Sequence, residues 1–184
     1  KKLDEAISSI NKAKQYKPNI ADLWFAEASI SLSQNKPDLA IASLEIGLKI
    51  DPNNSKAYFQ LGNAKIMKNR LNSALKDFQK AFSINNQFWQ ALNNEGLVLY
   101  ELNKNKKAIR SWKRVLLIEE DAEPKLALAA ALHVINYKNK KWIQLTKEAL
   151  KQNPNYLFEK YREEQLWGKK LQKDTQDLLS IPEL

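Results

Sequence analysis

Apolar residues fall at three- and four-residue spacings through most of the chain, the mark of helices that bury one stripe. Leu39, Ile41, Leu44, Leu48 and Ile50 follow that rule with a little spread, and Leu71, Leu75, Phe78 and Phe82 follow it again. Between such stripes stand turn formers, as in Asp51-Pro52-Asn53-Asn54 and Asn153-Pro154-Asn155. Asp38 and Asn72 stand near the start of every second helix, with Asn105 one place earlier in its register, and are the expected N-caps. Pro37 fits the first turn of a helix. With 4 glycines and 6 prolines in 184 residues, a turn-rich sandwich or barrel is disfavoured. The pattern predicts an all-α chain.

The pattern also repeats. Blocks of 34 residues at 21–54, 55–88, 89–122 and 123–156 align without insertion or deletion. The eighth position of each block holds Ala28, Gly62, Gly96 and Ala130. The twentieth holds Ala40, Ala74, Ala108 and Trp142, and the twenty-fourth Leu44, Phe78, Trp112 and Thr146. Small residues at positions 8 and 20 let two helices approach, and the bulky group at 24 fills the space beside them. In block four the large and small residues exchange places, which conserves volume and predicts altered helix spacing. Extending the frame backwards places Ala6, Ile10, Ala13 and Pro18 at positions 20, 24, 27 and 32, so residues 1–20 read as the second half of a further block.

This spacing resembles the tetratricopeptide repeat. The residues that carry the likeness include Trp24, Ala28, Ala40 and Pro52 in block one, and Tyr58, Leu61, Gly62, Ala74, Phe78 and Ala81 in block two. Block three adds Leu92, Gly96, Ala108 and Trp112. The resemblance implies a right-handed superhelical solenoid of stacked antiparallel helix pairs over residues 1–156. Residues 157–184 then form one long amphipathic capping helix, kinked near Gly168, that covers the end of the stack, with a loose tail at 181–184.

The resemblance further implies a concave groove lined by the first helix of each pair. Carried onto this chain, the partner-binding residues are Phe25, Ser29, Phe59, Asn63, Asn93, Asn94, Leu97, Tyr100, Ala127 and Ala131. The set is apolar and amide-rich, which suits an extended or helical peptide with apolar anchors. Two other outcomes compete: ordinary inter-helix packing, and a C-terminal helix that itself fills the groove. Trp24, Tyr58, Phe78 and Trp112 are expected in the core. Tetratricopeptide domains that clamp the carboxylate of chaperone tails do so with lysine and arginine at positions where this chain has none, so that clamp is not expected.

Charge adds a second candidate surface. The formal charge is +9, and lysines gather between the two helices of successive blocks. They are Lys68 and Arg70, then Lys104, Lys106 and Lys107, then Lys138, Lys140 and Lys141. Stacking would line them along one edge, able to attract an acidic protein, anionic lipid or RNA. The plainer alternative is a solvated edge, and the absence of interleaved aromatics weakens the RNA version.

Catalytic chemistry finds little support. The chain has no cysteine, a single histidine (His133) at a helix-packing position, and no glycine-rich phosphate loop. No enzyme activity, cofactor or metal is expected. Without an apolar run of about 18 residues no membrane span is expected, and the setting is soluble, either cytoplasmic or against a membrane surface. A targeting segment upstream of residue 1 stays open. The expected function is a protein-binding scaffold, adaptor or assembly factor. The phrase "EEQLWGKKLQKDTQDLL" is similar to endings of tetratricopeptide proteins from photosynthetic microbes, which offers photosynthetic-complex assembly as a further alternative.

Overall fold

The computed structural model describes residues 2–138 and 140–182, with side chains from residue 5 onward. Lys1, Asn139, Glu183 and Leu184 lie outside the described residues, so the expected tail is described only as far as Pro182. Among the described residues every regular element is helical. The chain separates into two compact units, residues 1–86 and 87–184.

Unit 1 holds α1 (Lys2–Tyr16), α2 (Ala21–Ser33), α3 (Pro37–Ile50), α4 (Ser55–Met67) and α5 (Leu71–Ile84). Each helix packs on the next, and α2 also meets α4. Blocks one and two are therefore the pairs α2–α3 and α4–α5. The second helix of each pair has one buried stripe. In α5 it runs Ala74, Leu75, Phe78 and Ala81; in α3 it runs Ala40, Ile41, Leu44 and Leu48. Small residues set the close approach. A Cβ at Gly62 would stand 2.5 Å from the Phe78 ring, so α4 and α5 close only because that position is bare. Trp24 and Tyr58, expected in the core, are only half-buried. The Trp24 indole lies at the mouth of the α1–α2 turn, where it donates to the Pro18 carbonyl at 2.9 Å and receives Lys14 over its face.

Unit 2 holds α6 (Trp89–Glu101), α7 (Asn105–Val115), α8 (Ala122–Ile135) and α9 (Lys141–Gln152). A short 3-10 turn (Pro154–Leu157), α10 (Glu159–Glu164) and α11 (Lys169–Leu179) follow. Gly96 faces Trp112 as Gly62 faces Phe78, with a Cβ 2.5 Å from the indole nitrogen. The exchanged residues of block four keep α8 and α9 packed together. Trp142 is fully buried against the rings of His133 and Tyr137, and the Thr146 hydroxyl turns back to donate to the Trp142 carbonyl at 2.7 Å.

The turns within pairs differ from expectation. Asn35, Asn69 and Asn103 occupy the same block position and all take left-handed backbone, with φ of 56°, 54° and 59°. Each closes a Schellman motif: Lys36, Arg70 and Lys104 donate back to the Ser31, Lys65 and Leu99 carbonyls at 2.8–2.9 Å. The residue after the asparagine then starts the next helix. Lys36, Arg70 and Lys104 are thus the N-caps, without side-chain caps, and Asp38, Asn72 and Asn105 lie inside the first turn instead. Side-chain caps close the turns before α4 and α8, where the Asn54 and Asp121 side chains accept from the Ala57 and Glu123 amides, while Ile20 and Phe88 before α2 and α6 provide none.

The C-terminal segment is not one helix. Leu166 takes left-handed backbone at φ 64°. It ends α10 with the same Schellman pattern, Trp167 donating to the Arg162 carbonyl at 3.1 Å. Leucine lacks the local hydrogen bonding that makes asparagine tolerant there, so this turn carries strain of about 1–2 kcal/mol. After Gly168 the chain reverses and α11 lies against α6 and α8.

Candidate functional site

The first helix of each pair presents the face on which the expected groove residues lie. In unit 1 that face is open. Phe25 packs against the core and over Gly47 while staying half-exposed, and Phe59 is half-exposed with its ring 5.8 Å from that of Phe78. Ser29 is exposed and Asn63 half-exposed. The Gln60 amide donates to the Ser29 hydroxyl at 2.7 Å, and Ser29 donates to the Phe25 carbonyl at 3.0 Å, which ties α4 to α2 across this face. Lys14 and Ser43 hold Glu27 at 2.5 and 2.6 Å on the other side of α2, away from these groups.

In unit 2 the same positions are covered. Asn93, Asn94, Leu97, Tyr100, Ala127 and Ala131 are all buried. The reading of these six as an exposed groove is corrected: α11 fills it, and it does not cap the end of the stack. Trp167, Leu171 and Leu178 supply its apolar contact, each at most 4% exposed. Polar latches fix it in register. The Tyr100 hydroxyl donates to Asp174 at 2.6 Å, and Lys170 sits over the Tyr100 ring and donates to the Asn105 side chain at 2.6 Å. Glu101 accepts the Lys170 and Leu171 backbone amides at 3.2 and 3.0 Å, which caps the first turn of α11 with a negative charge. A Cβ on Gly168 would collide with that carboxylate, so a side chain there would displace Glu101 from the two amides.

Glu123 forms a further latch. It accepts the Trp167 indole N–H at 2.8 Å and a hydrogen bond from Asn93. Burial pushes its pKa up to about 7; the Asp121 charge adds to the rise, and the two hydrogen bonds oppose it. Burial likewise raises the Tyr100 phenol, helped by Asp174. Arg162 is fully buried without a carboxylate contact. Its guanidinium donates to Gln172 at 2.9 Å and to the Tyr156 and Leu157 carbonyls at 2.6 and 3.0 Å, and burial holds its pKa below the usual arginine range.

The sequence pointed to none of Glu101, Glu123, Arg162, Trp167 or Asp174. One signal was present. The stretch Leu126–Leu132 in α8 is apolar all round, and such a helix needs cover on every side.

The basic residues stay at the surface. Lys68 pairs with Asp38 at 2.8 Å, and Arg70 is exposed in the same turn of unit 1. In unit 2, Lys104, Lys106 and Lys107 line an open cavity of about 510 Å³ with Asn103, Asn105 and Ile135. Lys138, Lys140 and Lys141 are exposed beyond the end of α8.

Helix pairs at a fixed 34-residue period, with a small residue facing a bulky one inside each pair, define a helical-repeat protein. The family model for the tetratricopeptide repeat matches residues 21–54 and 55–88, with the same bounds as blocks one and two. The chain is similar to the crystal structure of MamA, at 22% identity and a TM-score of 0.76, covering 84% of this chain and 91% of that one. It is similar also to YrrB, titled a TPR protein with an unusual peptide-binding site, at 16% identity and a TM-score of 0.71, covering 85% and 80%. A TPR repeat-containing thioredoxin, TDX, of Arabidopsis thaliana is 28% identical over 113 residues; the match takes in 61% of this chain and 28% of that relative's length. Residues 21–88 are thus tetratricopeptide repeats, and the chain shares the all-α fold of stacked helix pairs with the MamA and YrrB structures. No described helix is long and apolar enough to cross a membrane.

Proposed function

We propose that the chain is a non-catalytic adaptor that receives a partner polypeptide on the α2–α4 face of unit 1. One observation carries the reading: positions five and nine of the first helices are open in unit 1, while in unit 2 those positions lie beneath a helix. The fold's inner face thus already accommodates polypeptide. Phe25 and Phe59 offer aromatic anchors, and Ser29 and Asn63 offer hydrogen bonding to a backbone. Few charges line the face, which suits an apolar peptide better than a terminal carboxylate. The peptide-binding site named for YrrB is consistent with this use of the scaffold.

A photo-crosslinker at Ser29 or Lys56, on this face, should capture a polypeptide that a crosslinker at Lys76, exposed on α5, does not. Phe59→Ala should abolish the capture while α2–α5 keep their amide protection. Equal capture from both sides of unit 1 removes the reading.

A second reading rests on the cavity edged by Lys104, Lys106 and Lys107, whose charge suits an acidic protein segment. Replacing the three by glutamine should flatten the salt dependence of binding to an acidic peptide. Persistence of that dependence leaves them a solvated edge.

A further inference from the structure

The contacts that seat α11 are those of a ligand. Its apolar side is narrow, with Trp167 just before the helix and Leu171 and Leu178 seven residues apart on one stripe. Its polar contacts combine one general feature of a helix with two side chains: Glu101 takes two first-turn amides that any helix offers, Glu123 takes the Trp167 indole N–H, and Tyr100 donates to the Asp174 carboxylate. Of these groups only Trp167 belongs to the segment that joins α11 to α9, and it stands two residues before the helix.

Those joining residues carry costs of their own. Leu166 holds a left-handed backbone that leucine disfavours. Arg162 is buried with no carboxylate contact and its Nη2 has no partner. On the facing side of α11, the Gln172 Nε2 and Thr175 Oγ1 are also buried without partners. A buried polar group without a hydrogen bond opposes the closed state. A helix arriving from outside would make the latches without the strained leucine and without the buried arginine. What α11 holds in its favour is tethering, which gives it a high effective concentration at the face.

We propose that α11 is a removable internal ligand of the α6–α8 face, and that this face accepts in its place an amphipathic helix of another polypeptide with an aromatic N–H donor before its first turn and leucines one heptad apart. This goes beyond the reading of the α2–α4 face and is read out on different helices, so either can fail alone. Occupancy follows the fraction of chains with α11 unseated, since a ligand's apparent affinity is its intrinsic affinity reduced by that fraction.

The test uses the full chain, the full chain carrying Leu171→Asp and Leu178→Asp, and a fluorescein-labelled peptide with the sequence of residues 165–182. The double change unseats the tethered helix and leaves the face intact. The peptide should bind the double variant at least tenfold more tightly than the unaltered chain, and should restore amide protection to α6 and α8 alone. A peptide carrying the same two changes should bind neither. Equal affinity for both chains, or no binding to either, overturns the proposal. So does loss of all protection across α6–α9 in the variant, because α11 would then be an inseparable part of the core. In the unaltered chain, α11 amides should exchange at least tenfold faster than those of α6 and α8; equal rates overturn the proposal as well.

Discussion

The first helices of units 1 and 2 share repeat positions but not surroundings. In α2 only Ala28 and Ser31 are buried, and in α4 only Ala57, Leu61, Gly62 and Ala64. In α6 burial is continuous from Leu97 to Tyr100, and in α8 from Pro124 to Ala131. The inner-pair stripes, by contrast, are alike in both units: Phe78 and Trp112 are each fully buried opposite a glycine. The repeat fixes how a pair closes, while the fate of its inner face depends on a segment distant in sequence.

The largest effects should test the part the units share. Phe78→Ala and Trp112→Ala remove equivalent fully buried rings, and each should cost about 3–5 kcal/mol. Denaturant unfolding gives the loss, and amide exchange should place it in α4–α5 for the first and α6–α7 for the second. A much smaller cost for Trp112, whose indole N–H is buried without a partner, would show that the tryptophan carries an offsetting polar penalty.

Next come effects confined to unit 2. Leu171→Ala should cost about 2–4 kcal/mol and lower protection in α6 and α8 while α2 and α4 keep theirs. Protection lost equally in α2 and α4 would break the contrast between the faces.

Glu123 adds a pH dependence that unit 1's face lacks. Its folded pKa, about 7, lies above the ordinary value of 4.5, so the folded state binds the proton more tightly than the unfolded state. Its contribution is fully present below pH 4.5, declines as pH rises from there, and is lost above about 7. The loss is on the order of 1–3 kcal/mol. Glu123→Gln, neutral at every pH, should flatten that slope between pH 5 and 8; an unchanged slope assigns it to other groups.

Smaller effects sharpen the turns. Leu166→Gly should raise stability by about 1 kcal/mol by relieving the left-handed leucine. Asn103→Ala should lower it by a similar amount, because asparagine already suits that backbone. A loss for both would mean that the half-buried Leu166 side chain outweighs its strain. Smallest of all, glutamine at Lys104, Lys106 and Lys107 should move stability by no more than about 0.5 kcal/mol.

As far as Gln152 the helices, their pairing and the register follow from the sequence, because periodicity and the small–large pairs act within 34 residues and need no distant partner. The family model meets the same block bounds for the first two repeats. Phe25, Ser29, Phe59 and Asn63 were candidates only through the family resemblance, which assigns those repeat positions to the inner face. Capping within pairs was misread because aspartate and asparagine inside the first turn carry the same composition as caps; only the backbone at Asn35, Asn69 and Asn103 distinguishes them. The tertiary structure alone decided that Tyr100 meets Asp174 and Glu123 meets Trp167, across 74 and 44 residues of chain. Periodicity says that a segment has an apolar side. Which surface that side will cover depends on the reversal at Leu166 and Gly168, a matter of two backbone conformations that no repeat encodes.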